Sequence, residues 1–302
     1  MKIYKYLDAN GLTETLKNNT LKFSQPWVFN DPYDTHIPAK CQRNETEVFD
    51  LIDECISSYL DNNWKPLPNN RFQKDLHEYL SHNSKRIELL MKDRVQFINN
   101  LINNTKDGNA FDFIFETPKP SETNIVCCFS QTKDSLLMWS HYAEKHKGAV
   151  LEFEVNELSA DEKYHMEYTN KIPCIDLNKI LFENDSSDMS KYLSANYYYK
   201  ANCWQYEQEI RFLYYVKDDG DNNLVSRNVS EECLKSVRDC GYCYVPFSIK
   251  SLKSIYLGVK YSSNKEDTMN FYKKYPFAQI YKARLKTDCF GLDFELTRDR
   301  IK

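Results

Sequence analysis

Short apolar runs at irregular intervals are the feature that most constrains this chain. They are "KIYKYL" (2–7), "TLKFS" (20–24), "NIVCCFS" (124–130), "AVLEFEV" (149–155), "CYVPF" (243–247), "SIYLGV" (254–259) and "QIYKARLK" (279–286). Each has the length and the β-branched or aromatic content of a strand. They do not alternate regularly with helices, so a parallel βαβ sheet is not indicated. The pattern predicts an α+β fold with a mixed or antiparallel core. One long stretch of helical periodicity interrupts it, from Glu45 to about Leu60 and from Arg71 to about Asn104, with "WKPLPNN" as the break. Leu76 and Leu80, Ile87, Leu90 and Met91, and Phe97, Ile98 and Leu101 carry that periodicity. We read residues 45–104 as a helical insertion within a single α+β domain spanning residues 1–302.

Composition narrows the functions open to such a fold. The 302 residues are 41% hydrophobic and 14% aromatic, with 22 tyrosines, which is a globular composition. A net charge of −4 argues against a broad phosphate-binding surface. No apolar run reaches the roughly 20 residues needed to span a bilayer, and "MKIYKYLDANG" is no secretory leader, so a cytoplasmic protein that is not in the membrane is expected. The ten cysteines are then expected to be reduced and mostly buried. Cys240 and Cys243 form a CxxC pair, but no second pair or nearby histidine accompanies it, so no metal site is expected. The seven glycines form no GxxxxGK[ST], GxGxxG or GxSxG, which removes P-loop, Rossmann-type and α/β-hydrolase chemistry from the leading readings.

Three stretches carry candidate chemistry. In "LKFSQPWVFNDPYD", the Asn30-Asp31-Pro32 corner sits among Trp27, Phe29 and Tyr33. Such a corner is a turn, and it also presents polar groups on an aromatic wall suited to a base or a nicotinamide ring. In "DSLLMWSHYAEKHKG", Asp134 is expected to cap a helix that Gly148 ends, with Trp139 in the core and His141 as a candidate site residue. In "WQYEQEIRF", an extended chain would place Glu207, Glu209 and Arg211 on one face, either as a solvated charged face or as the edge of a cleft.

These three stretches, taken together and in this order, resemble the bacterial family DUF2971. The wider layout also resembles ADP-ribosyltransferases: a Tyr-rich first strand, a short helix, a strand ending in Ser, and a late Glu-x-Glu entering an apolar strand. That resemblance implies NAD as substrate, an oxocarbenium-like transition state and a stabilising carboxylate. On it, Glu209 is the catalytic carboxylate, Glu207 positions the acceptor nucleophile and His141 assists. Tyr4, Tyr6, Ser24, Asn30, Asp31, Tyr33 and Arg211 would form the nucleotide pocket. The first strand departs from the pattern, offering Lys5 where those transferases carry Arg or His. The resemblance further implies a macromolecular acceptor, protein or nucleic acid, in a toxin or phage-defence setting, with an antitoxin or other protein partner. Two other readings stay open: a non-enzymatic nucleotide- or peptide-binding sensor, and a metal-dependent nuclease using Asp31, Glu207 and Glu209.

Overall fold

A computed structural model describes residues 1–31, 33–34, 45–61, 65–66, 71–82, 95–96, 124–171, 195, 197–218, 223–262, 270–271 and 273–297. The chain divides into two compact units. The first comprises Met1–Thr35, Ser121–Asn170 and Tyr197–Lys302, and the second His36–Pro120 and Lys171–Asn196.

The first unit is built on a mixed, mostly antiparallel sheet, so the fold is α+β. Its strands are β1 (Lys2–Leu7), β2 (Thr20–Ser24), β3 (Ile125–Ser130), β4 (Ala149–Glu154), β5 (Glu162–His165), β8 (Glu209–Tyr214), β11 (Tyr242–Pro246), β12 (Leu252–Leu257), β13 (Gln279–Leu285) and β14 (Leu292–Leu296). The remaining short strands, β6 (Glu167–Thr169) with β7 (Tyr199–Ala201) and β9 (Lys217–Asp218) with β10 (Leu224–Val225), pair separately. The large sheet runs β11-β2-β3-β1-β4-β12-β13-β14, with β8 on β3 and β5 on β8. Strand β3 pairs with β8 along its length, and it also meets β2 at Val126 and β1 at Ser130.

The two-residue period of these strands sorts their side chains onto two faces. Ile3, Ile125, Cys127, Phe129, Ile210, Phe212 and Tyr214 point to the main core. There they pack with α1 (Ala9–Asn18) through Leu12 and Leu16, and with α5 (Glu231–Cys240) through Leu234 and Val237. The alternate residues Tyr4, Tyr6, Cys128, Ser130, Glu209 and Arg211 are therefore turned to the opposite face. Pairing aligns Tyr4 with Ser130, and Ser130 with Glu209, in one cross-strand row.

On that second face lies α4 (Leu136–Tyr142), whose Trp139 is fully buried with Tyr6 and Met138. Its cap is Ser135, not Asp134: the Ser135 side chain accepts from the Met138 N–H. The helix also stops at Tyr142, earlier than its periodicity suggests. Glu144, Lys145 and His146 follow in the left-handed region, with φ of 49°, 55° and 70°. Gly148 serves close approach rather than helix termination, because a Cβ there would lie 2.0 Å from the Leu7 carbonyl oxygen. Gly148→Ala is expected to cost about 1–3 kcal/mol from overpacking, read as a lower urea midpoint at unchanged slope. An unchanged midpoint would show that β1 and β4 can separate there without penalty.

In the second unit, α2 (Glu45–Leu60) and α3 (Arg71–His82) are helical, as their periodicity predicts. Ile56 and Leu80 are buried, and the Tyr59 ring meets His77 edge-on at 5.3 Å. The predicted helical residues 83–94 and 97–104, with Ile87, Leu90, Met91, Phe97, Ile98 and Leu101, lie outside the described residues.

Candidate active site

The second face of the sheet carries a cavity of about 200 Å³ lined by residues from every stretch that drew attention in the sequence. Tyr4, Lys5 and Tyr6 come from β1, and Phe29 and Asn30 from the segment after β2. Cys128, Phe129 and Ser130 come from β3, Met138 and Tyr142 from α4, and Lys200, Glu207 and Glu209 from the chain entering β8. Asp34 completes the lining. Asn30 and Glu209 thus share one cavity, and the two stretches that carry them meet.

Local backbone geometry explains how Glu207 and Glu209 converge. The chain from Asn202 to Glu207 is a 3₁₀ turn, not the extended segment that alternation implies. Gln208 then adopts a left-handed conformation with φ 45° and ψ 52°, and β8 begins at Glu209. This one kinked residue replaces the simple i, i+2 strand geometry. The turn is fixed by the Ser130 hydroxyl, which donates to the Glu207 carbonyl at 2.6 Å, and by the Gln131 N–H, which donates to the Gln208 carbonyl at 2.8 Å.

The charges form one buried network. Lys200 Nζ donates to Glu207 Oε2 at 2.5 Å and to Glu209 Oε2 at 2.7 Å, with Asp34 Oδ2 at 3.8 Å. Arg211, with no exposed surface, donates from Nε to Glu209 Oε1 at 2.8 Å and from Nη2 to Asp34 Oδ2 at 2.7 Å. Its Nη1 lies 2.7 Å from Asp34 Oδ1. The Tyr142 hydroxyl donates to Glu207 Oε1 at 2.5 Å, and Asn30 Nδ2 approaches the same hydroxyl at 3.5 Å. The Tyr168 hydroxyl accepts the Glu209 N–H at 2.8 Å.

The two glutamates are driven apart in acidity. Burial alone would raise Glu209, but Arg211 and Lys200 outweigh it and hold that carboxyl well below the usual range. Burial dominates at Glu207 and raises it, although Lys200 and Tyr142 pull the other way. Adjacent carboxyl groups separated in this manner suit a fixed negative charge and a proton acceptor. Lys200 is itself raised, because Glu209, Glu207 and Asp34 together overcome the effect of its burial.

A folded-state carboxyl held low contributes stability that is complete above its unfolded value of about 4.3 and is lost as pH falls below it. Glu209 is therefore expected to make the chain acid-sensitive below about pH 4, with Glu207 acting in the opposite sense. Urea midpoints should fall as pH drops below about 4, with a smaller fall in Glu209→Gln. Identical acid profiles for the two proteins would remove Glu209 as the cause.

Several predicted residues sit away from the cavity. His141 is exposed on α4, its ring 6.3 Å from Tyr142 and 6.1 Å from Tyr206. Tyr33 is 61% exposed, and Ser24 pairs with Tyr242 and Val126 in the sheet. Asp31 accepts the Tyr33 N–H at 2.9 Å through Oδ1, and the Asp34 N–H reaches the Asp31 carbonyl at 3.0 Å. Asp31 thus builds the turn that delivers Asp34 to Arg211. Lys200, Asp34 and Tyr142 are the site residues that sequence reasoning missed. The only hint of Lys200 was a lone cation in "YYYKA" ahead of the acidic pair. Among the described residues, no group of three His, Cys, Asp or Glu is placed to hold a metal ion, and Lys200 lies between the two glutamates.

Much of the polar site, from Met138 to Arg211, lies within a family match. Residues 138–212 match the model of a family described as "Protein of unknown function (DUF2971)". The resemblance to DUF2971 is thus supported over residues 138–212 of the chain. The DUF2971 segment contains Tyr142, Lys200, Glu207, Glu209 and Arg211, whereas Tyr4, Tyr6, Asn30 and Asp34 lie before it. No curated protein and no solved structure matches the chain. Among the described residues, no helix is long and apolar enough to cross a membrane.

Proposed function

We propose that this chain cleaves the nicotinamide–ribose bond of NAD or a closely related nucleotide. The observation that carries this reading is the pairing of Glu207 and Glu209 through Lys200 on one wall of a cavity to which the aromatic Tyr4, Tyr6 and Phe29 also contribute. Breaking an N-glycosidic bond to a pyridinium ring develops positive charge on the ribose, and a preorganised carboxylate stabilises that charge as it forms. Glu209, kept ionised by Arg211 and Lys200, suits that task. Aromatic walls suit the departing ring. A cavity of about 200 Å³ is smaller than the ~300–1,000 Å³ typical of ligand sites. It would take the nicotinamide–ribose end and leave the adenosine half outside.

Incubation with NAD should release free nicotinamide, and calorimetry on Glu209→Gln should still show NAD binding. The alternative reading is a binding module, favoured by the saturation of Glu209 with internal cations. Heat of binding without released nicotinamide from the wild-type chain would establish that alternative.

A further inference from the structure

We infer that the acceptor in this reaction is water, making the site a hydrolase rather than a transferase to macromolecules. This inference rests on the cleavage reading above and specifies its second substrate. An acceptor must reach the ribose carbon from beside the group that takes its proton, and Glu207 is the carboxylate available for that. Glu207 is only 4% exposed. One of its oxygens is held by the Tyr142 hydroxyl and the other by Lys200, both at 2.5 Å. Its backbone is pinned by Ser130. On the cavity side, Asn30 reaches toward the same Tyr142 hydroxyl at 3.5 Å.

Volume points the same way. A cavity of about 200 Å³ is of the order of the ring and ribose it would take, which disfavours a bulky acceptor such as an arginine or a nucleobase beside Glu207. Water, whose share of liquid volume is about 30 Å³, is the smallest acceptor such a space could admit. Burial, which favours the protonated form of Glu207, improves it as a proton acceptor near neutral pH.

The step balances without a further reagent. The ribose C1–N bond breaks and its electron pair stays on the ring nitrogen, so neutral nicotinamide leaves. The water oxygen bonds to C1 and its proton passes to Glu207, which returns it to solvent. NAD and water give ADP-ribose, nicotinamide and one proton.

The test follows the fate of adenine-labelled NAD with the wild-type chain alone, with added methanol, with added agmatine, and with a mixture of bulk protein and RNA. Expected are equal amounts of nicotinamide and free ADP-ribose, trapping of the methyl glycoside by methanol, and no label on agmatine, protein or RNA. Label appearing on any of those larger acceptors ahead of free ADP-ribose overturns the inference while leaving the cleavage reading intact. Absence of nicotinamide in every arm overturns the cleavage reading, and the water assignment falls with it. Methanol is the decisive comparison, because it is a nucleophile only slightly larger than water.

Discussion

Replacing Glu209 by Gln is expected to lower NAD cleavage by roughly 100- to 1,000-fold, equivalent to about 3–4 kcal/mol of lost transition-state stabilisation. Gln keeps the size and one accepting oxygen, so the cavity and much of the nucleotide affinity should remain. What disappears is the fixed charge facing the cation as it forms. A purely structural Glu209 would behave differently, since activity would then fall only as folded protein is lost. Activity per folded molecule, measured with the melting temperature, separates the two cases. Unchanged specific activity would remove Glu209 from the chemistry.

The second large effect concerns Arg211, which is fully buried between Glu209 and Asp34. Arg211→Met should destabilise the fold by about 3–5 kcal/mol, because it leaves two buried carboxylates with only Lys200 to answer them. For a chain of this size that is a fall in melting temperature on the order of 10 °C. Arg211→Lys should recover only part of the loss. An ammonium keeps the charge but not the planar fork that bonds both carboxylates at once. A loss below about 1 kcal/mol in Arg211→Met would show that the network is solvated and adds little to the fold.

These two residues also show how far the sequence could be read. Glu209 and Arg211 share a face because strands alternate, and that much follows from periodicity. Tyr4 and Tyr6 face the cavity for the same reason. Glu207 was placed with them by an extended geometry that does not exist, since a left-handed Gln208 does that work instead. A left-handed glutamine leaves no mark in composition or pattern. Asp34 was passed over for Asp31, because two aspartates three residues apart look alike until Arg211, 177 residues away, selects one. Lys200 belongs to no motif in the sequence, and it reaches the site from a short strand, Tyr199–Ala201. Its partners are set by tertiary packing and not by spacing.

Strand β3 has a consequence for how this protein is made. It joins β1 and β2 from the first residues of the chain to β8, whose first residue, Glu209, pairs with Ser130. Strand β1 in turn waits for β4, pairing Lys2 with Glu154. Contacts so distant in sequence close slowly, because the loop entropy is lost before the pairing compensates for it. The cavity draws on residues 4 to 6 and 200 to 209 together, so no chain that stops short of β8 can possess it. Growing on a ribosome, the polypeptide contains Tyr4, Tyr6 and Phe29 long before Glu207 and Glu209. The site can be complete only once β8 has docked on β3.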